Sequence, residues 1–357
     1  MARSAAARQA EHDIVRACHS GLDPDRLRHT VLRSLRRVMT IDAAFFATAD
    51  PETLLFTGGH AEDPLGTATA RFLHNETGGA DVNTFTALAK AATHVASLDG
   101  ATRHDRPTSE RYREIMRPLG LGDELRAALV AGSDCWGYLC LHREDVEHGF
   151  TRAEVDVVAR IGPHVAHALR QAALLHPTPS GGDPPRPGVV LLDDRLDVVA
   201  STPEADAVLS LIDHHDSTSL PLPVAVYAVA AALMKVEEID PAAVAALPSA
   251  RVPSKVGSWI TVSASRLQGD GERRIAVVVE VAEPRSALGI RLAAHGLSAR
   301  EQDVARLVLR GEPTRTISDT LHISTHTVQD HLKSVFDKVG VRSRRDLVAM
   351  MLGAHGR

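Results

Sequence analysis

The chain has 357 residues, 44% of them hydrophobic, which is enough for two or three domains with ordinary cores. It has no apolar run long enough to cross a bilayer and no signal-peptide core at its N-terminus, so a membrane protein is excluded and a cytoplasmic one is expected. Its net charge of −5 argues by itself against nucleic-acid binding, and its three cysteines (Cys18, Cys135 and Cys140) form no C-x-x-C pair or disulfide framework.

The first 175 residues predict helices that frame an antiparallel sheet. Hydrophobic periodicity places helices at 7–18 and 23–38, strands at 42–48 and 53–57, a hairpin of strands 124–131 and 135–142, and a closing helix at 152–174. The segment RYREIMRPLGLGDELRAALV, followed by CWGYLCLHRE and the closing helix, resembles a GAF domain. The resemblance implies a sensor domain over residues 1–175.

Alternate residues of the 135–142 strand are candidates for lining a ligand pocket in this domain. Trp136, Tyr138, Cys140 and His142 share one face of a regular strand. Ordinary core packing is the alternative, because aromatic and Cys side chains bury readily. Cys135 and Cys140 are five residues apart and are expected on opposite faces, which argues against a redox pair.

The same region predicts no metal centre and no catalytic machinery. His164 and His167 share one face of the closing helix but lack a third ligand in the sequence, and His214 and His215 are expected to be exposed. The chain has no G-x-S-x-G, Walker or HExxH motif and no phosphoacceptor pattern. We therefore expect a protein that is not an enzyme and that requires no cofactor, with catalysis in the GAF-like region as a rival hypothesis.

A Pro- and Gly-rich linker at 176–187, PTPSGGDPPRP, separates this domain from a second one at 188–285. GVVLLDDRLDVVAS predicts two short strands, and Ser201-Thr202-Pro203-Glu204 a capping box that opens a helix. A helix at 222–236 and the strands SWITVSASRL and RRIAVVVEVAE follow. This order of strands and helices resembles a PAS domain.

The last segment, 292–357, predicts an all-α domain of four short helices. Ser298 and Glu301 form a capping box for the first helix, and Ser324 is placed to cap the third. The third helix has its apolar stripe at Val328, Leu332 and Val335. Its opposite face is polar and carries His326, Gln329, Asp330, Lys333 and Asp337.

The stretch HTVQDHLKSVFDKVGVRSR resembles the LuxR-type (NarL-like) helix-turn-helix domain of bacterial transcription regulators. The resemblance implies that Gln329, Asp330 and Lys333 read base edges. It also implies phosphate contacts from Thr327 and Lys338, and flanking basic residues suggest further anchors at Arg315, Arg342, Arg344 and Arg345. In the family the fourth helix pairs two copies, which here implies a homodimer through Leu347, Val348 and Met351.

The second helix departs from the family pattern. Pro313 and Thr316 stand where a Ser and a Glu usually form a capping box, and Thr314 is expected to cap the helix instead.

Charge is distributed unevenly along the chain. From Leu297 onward there are ten basic and seven acidic residues, a net +3, which leaves −8 on the rest. We therefore expect a multidomain α+β protein, GAF-like then PAS-like antiparallel sheets with helices, followed by an all-α helix-turn-helix domain. Its expected function is sequence-specific regulation of transcription on double-stranded DNA, modulated by a small-molecule effector or a protein partner, without a membrane. The alternative is a ligand- or protein-binding sensor whose C-terminal domain does not bind DNA specifically.

Overall fold

The computed structural model describes residues 2–78, 81–144, 149–174, 185–212, 220–239, 247–267, 273–283 and 286–352. Within these ranges the chain forms two five-stranded antiparallel sheets with helices, followed by a group of short helices. This confirms the predicted multidomain α+β class. Most of the predicted linker and both His214 and His215 lie outside the described residues. None of the described helices combines the length and apolarity that a bilayer crossing needs.

The first sheet belongs to the N-terminal domain and has the order β2-β1-β5-β4-β3. Its strands are β1 (Ala43–Ala49), β2 (Phe56–Ala61), β3 (Val95–Ser97), β4 (Leu121–Ala131) and β5 (Asp134–Glu144). One face is covered by α1 (Ala2–Cys18), α2 (Pro24–Leu35) and α6 (Arg152–Leu174). The other face meets α3 (Thr69–Gly78) and α4 (Phe85–Lys90), and α5 (Leu98–Ala101) follows β3.

The second sheet repeats the same relative order, β7-β6-β10-β9-β8. Its strands are β6 (Gly188–Leu192), β7 (Val198–Ser201), β8 (Ser249–Pro253), β9 (Trp259–Arg266) and β10 (Ile275–Val281), and its helices are α7 (Pro203–Leu209) and α8 (Val224–Ile239). Strand β8 was not predicted from the sequence. The α7 cap was predicted one residue early, because Thr202, not Ser201, accepts the amide of Ala205.

Helix α8 joins the two sheet domains into one core. Its residues are apolar on nearly every side, as expected of a helix that is covered all round. It packs against α3 and β2 of the first domain and against β8, β9 and β10 of the second. A single cluster of buried side chains therefore runs from the first sheet through α8 to the second sheet.

The C-terminal helices are α9 (Leu288–Ala294), α10 (Ala299–Leu309), α11 (Thr314–Leu321), α12 (Thr325–Val339) and α13 (Arg344–Leu352). Helix α9 was not predicted from the sequence, and it belongs to two cores at once. Ile290 and Ala293 pack with the helices of the first domain, and Leu292 packs with α10 to α13. Arg291 of α9 also donates hydrogen bonds of 2.8 Å to the carbonyls of Met350 and Met351.

Candidate DNA interface and sensor core

Local contacts fix both ends of α12. Ser324 caps its start and accepts a hydrogen bond from the Thr327 amide at 3.0 Å, as predicted. Gly340 ends it in the left-handed region with φ +81°, which favours glycine. The inner face is held by four buried apolar side chains, those of Val328, Leu332, Val335 and Val339. The helix therefore presents its outer face in one orientation.

The outer face of α12 is polar and exposed. Gln329, Asp330 and Lys333 all lie on it and are exposed to solvent. His326 lies one turn before Asp330, with Nδ1 3.1 Å from its carboxylate. The structure thus brings an amide, a carboxylate and an ammonium group onto one face of a helix, and these are the groups that recognise base edges in a major groove.

The second helix begins without a side-chain cap. Pro313 occupies the cap position of α11 and Thr314 is the first helical residue, so the prediction that Thr314 caps the helix is wrong. The Thr314 hydroxyl instead accepts hydrogen bonds from Arg344 at 2.8 Å and from Gln329 at 3.5 Å. Thr314 therefore links the start of α11 to α13 and to the outer face of α12.

The predicted phosphate-binding residues differ in their exposure and in whether they already bind another group of the protein. Arg315, Arg342 and Arg345 are exposed, whereas Thr327 is half-buried at the start of α12. Two others already hold protein partners. Arg344 donates to the Glu312 carbonyl at 3.0 Å as well as to Thr314, and Lys338 lies 2.6 Å from the Glu301 carboxylate.

Glu301 connects α10 to α12. The predicted capping box with Ser298 is confirmed, and the same carboxylate accepts from Ser334 at 2.5 Å and from Lys338. Burial alone would raise the pKa of Glu301, but these hydrogen bonds outweigh it and hold the pKa at about 2. Glu301 therefore stays ionised and fixes α10 against the recognition helix.

The predicted dimerisation helix needs a correction. Leu347 and Met351 are fully buried in the core that α13 shares with α10 and α12, so neither side chain can pair with a second copy as the module stands. Val348 is half-buried, and Met350 is 44% exposed. Val348 and Met350 are two residues apart, so they flank the buried stripe of α13 on opposite sides and do not share one face.

The first domain contains a network of charged side chains beneath its sheet. Arg111 bonds Glu124 through Nε at 2.7 Å, and Arg126 bonds Glu76 at 2.8 Å. The Glu124 and Arg126 side chains are 0% exposed and the Arg111 side chain 1%. Burial raises the pKa of Glu124, but Arg111 and Arg126 outweigh it and hold the pKa at about 2.

This network was not predicted from the sequence, because charged residues are usually exposed. The available signal was the segment ELRAALV in β4. Glu124 and Arg126 alternate there with apolar residues in a strand whose residues are nearly all buried, so both side chains fall on one covered face.

The predicted ligand pocket is also corrected in part. A bulge where Leu129 pairs with Gly137 and Val130 with Cys135 shifts the alternation of β5. Trp136 therefore packs with α1, α2 and α6, opposite to Tyr138 and Cys140, and Cys135 joins the same cluster as Cys140. The expectation that Cys135 and Cys140 face opposite sides is thus wrong.

Of the four predicted pocket residues, His142 lines a small cavity. This cavity measures about 30 Å³ and is also lined by Arg111 and Glu124 and by apolar side chains of the first domain. A volume of that size holds about one water molecule. Tyr138 is buried and its hydroxyl donates to the Leu54 carbonyl at 2.8 Å. The site as it stands is closed to a drug-sized ligand.

Three histidines meet on the surface of the first domain. His19, which follows α1, lies with its ring centroid 6.1 Å from that of His164 and 5.5 Å from that of His167. His19 is a third ring beside His164 and His167, but the three are not spaced as a metal-ligand group among the described residues. Arg170 donates to His167 Nδ1 at 2.9 Å, which places a positive charge beside this group.

An acidic turn after β1 contacts both the second sheet domain and the C-terminal helices. Asp50, with 0% exposure, accepts hydrogen bonds from the Arg251 backbone and guanidinium of the second domain. Glu52 binds the same guanidinium and also Arg306 of α10 at 2.8 Å. Gly289 of α9 lies so close to Glu52 that a side chain there would collide with the carboxylate. The turn therefore fixes the C-terminal module against both sheet domains.

Two known families match this chain, one over the C-terminal helices and one over the first domain. The sequence profile of bacterial regulatory proteins of the luxR family matches residues 295–351, and that of the GAF domain matches residues 23–169. The spore germination protein GerE of Bacillus subtilis (strain 168) is 34% identical over 56 residues, which are 16% of this chain and 76% of that protein.

Solved structures give weaker likenesses. The phycoerythrobilin-bound GAF domain from a cyanobacterial phytochrome covers 48% of this chain and 98% of its own, at 16% identity and a TM-score of 0.35. The phage VqmA-DPO complex covers 47% of this chain and 84% of its own, at 15% identity and a TM-score of 0.18. At these TM-scores neither likeness bears on the fold. From the luxR-type profile over α10 to α13 and the identity with GerE, the chain belongs to the luxR family of bacterial regulatory proteins and carries a GAF domain ahead of its helix-turn-helix DNA-binding domain.

Proposed function

We propose that this protein regulates transcription by binding a specific DNA sequence through α12, and that its sheet domains control that binding. The observation that carries the proposal is the exposed polar face of α12, with Gln329, Asp330 and Lys333, on a helix fixed at both ends. The buried stripe of α12 leaves that face free for a major groove. The rival hypothesis, a module that binds a protein instead, gives no reason for this choice of base-reading groups.

We further propose that two copies bind together. One module carries a net charge of only +3, and log affinity falls with log salt by about 0.9 per phosphate neutralised, so a single module binds weakly at physiological salt. Pairing through α13, with Val348 at the contact, doubles the contacts.

Selection from a random DNA library by the full chain tests both statements. We expect enrichment of inverted half-sites about one helical turn apart. Enrichment of isolated half-sites occupied by one copy would contradict the dimer. Absence of any enriched sequence would contradict specific binding and favour the protein-interaction hypothesis.

Control by the sheet domains would act through Glu52. The face of α12 is exposed in this arrangement, so the sheet domains do not cover the recognition residues. They hold the module through α9 and through the ion pair of Glu52 and Arg306, whose side chains are 34% and 35% exposed. We propose that this contact fixes the module in an orientation unsuited to pairing on DNA, and that an effector acts by favouring the released state.

Replacing Glu52 by Gln is expected to raise the affinity of the full chain for its selected site. A half-exposed ion pair contributes up to about 1 kcal/mol, which corresponds to at most about a fivefold change. The measurement is DNA affinity of the full chain at several salt concentrations.

Glu11→Gln is the matched control for charge. It removes an equal charge from the first domain, where Glu11 pairs with Arg160 at 2.6 Å, and it touches no residue of the DNA module. Equal affinities for the Glu52 and Glu11 variants would show that the contact has no part in control.

A further inference from the structure

Three side chains of different ligand types meet under the first sheet. Glu124 of β4 stands directly opposite His142 of β5, and Cys140 lies two residues before His142 on the same strand. This register puts all three on one face. One ligand atom from each lies within 4.8 Å of the other two, and all three side chains are buried.

The spacing of these atoms is close to that of a tetrahedral metal site. Cys140 Sγ lies 3.5 Å from a Glu124 oxygen and 3.1 Å from His142 Nε2. Zinc bonds of ordinary length to sulfur, nitrogen and oxygen separate such atoms by about 3.5 Å. The two separations that involve Cys140 are therefore already close to those around a bound zinc ion.

The group also borders a cavity. The cavity of about 30 Å³ that His142 and Glu124 line has room for a water molecule as a fourth ligand.

Arg111 and Arg126 beside the group do not exclude a cation, because other carboxylates balance them. Arg126 is paired with Glu76, and Arg111 Nη1 lies 3.8 Å from Asp81. The charges of the two arginines and of the carboxylates of Glu124, Glu76 and Asp81 sum to −1 when Cys140 is a protonated thiol. A divalent ion that displaces the thiol proton brings the sum to zero, which removes a buried net charge.

We propose that Glu124, Cys140 and His142 bind a divalent transition metal such as Zn²⁺, with a water in the cavity as fourth ligand. A thiolate and an imidazole select such ions over Mg²⁺ and Ca²⁺, which take oxygen ligands. On binding, the sulfur–hydrogen bond of Cys140 is replaced by a sulfur–metal bond and the proton is released to solvent. An effect of the metal on DNA binding would rest on the proposed function. Metal binding itself does not depend on that function.

The test uses the full chain with Cys18→Ala and Cys135→Ala, which leaves Cys140 as its one thiol. The protein is stripped with a chelator and titrated with Co²⁺. We expect a thiolate-to-cobalt charge-transfer band that saturates at one ion per chain, is displaced by Zn²⁺, and corresponds to a Kd below about 1 μM. Adding Cys140→Ser or His142→Gln should remove the band or weaken binding by at least about tenfold.

The histidine group at His19, His164 and His167 is the alternative place for a metal, and it has no sulfur. A variant with His164→Gln and His167→Gln should keep the band, and this control excludes surface binding. The proposal is overturned if the folded protein with Cys140 as its one thiol shows no charge-transfer band, or if the band survives Cys140→Ser. DNA affinity measured on the same samples is a separate readout, so loss of the metal site and loss of DNA binding are distinguishable.

Discussion

Replacing Arg126 by Met is expected to destabilise the first domain by about 3–5 kcal/mol. The Arg126 guanidinium lies with no exposure between Glu76 and the Asn83 carbonyl, each at 2.8 Å, and stacks 4.0 Å from the centroid of the Phe85 ring. Methionine retains most of the apolar contact but leaves a buried carboxylate without its partner. Urea unfolding, followed by Trp136 fluorescence in a Trp259→Phe background, measures the change.

Arg160→Met is the matched control. Arg160 is 55% exposed and pairs with Glu11 on the surface of the same domain, so its loss should cost less than about 1 kcal/mol. Adding Glu76→Gln to Arg126→Met should recover part of the loss, because the neutral amide no longer leaves a charge unpaired. Equal effects of the two arginine substitutions would contradict a buried ionic network.

Replacing Lys333 by Ala is expected to weaken binding to the selected DNA site by about 1–3 kcal/mol, or about 5- to 150-fold, and to relax base preference at one position. Lys333 shares the exposed face of α12 with Gln329 and Asp330, where an ammonium group can reach guanine acceptors. Affinities for the selected site and for random DNA, measured at matched salt, give the result.

Arg300→Ala is the control for charge in the same module. Arg300 is 56% exposed on α10, pairs with Asp303, and lies away from the face of α12. It should weaken specific and random binding slightly and alike. If Lys333→Ala lowered both affinities by the same factor, Lys333 would be a phosphate contact and not a base reader.

Much of the fold could be predicted from patterns that lie within a few neighbouring residues. The Ser298–Glu301 capping box, the Ser324 cap and the limits of α6 follow from neighbouring residues, and the structure confirms them. The β4–β5 hairpin was predicted for the same reason, since its turn at Gly132 needs a positive φ, here +69°. The polar face of α12 then followed from its apolar stripe.

Features that depend on distant residues were missed. The bulge in β5 moved Trp136 to the other face, and nothing in the alternation of residues marks it. Leu347 and Met351 were assigned to a dimer contact from the family resemblance, and an apolar stripe does not by itself say which surface covers it. The five-residue strand β8 and helix α9 were missed because both are short and are formed by packing against neighbouring elements.

The core shared through α8 also limits how such a protein can have been assembled during evolution. Recombination within the Pro- and Gly-rich stretch would separate the first domain from α8 and the second sheet. A broad apolar surface would then be exposed to water. We therefore expect the two sheet domains to be inherited together. The helices from α10 onward have a core of their own, so recombination beside α9 would expose less apolar surface than recombination at the Pro- and Gly-rich stretch.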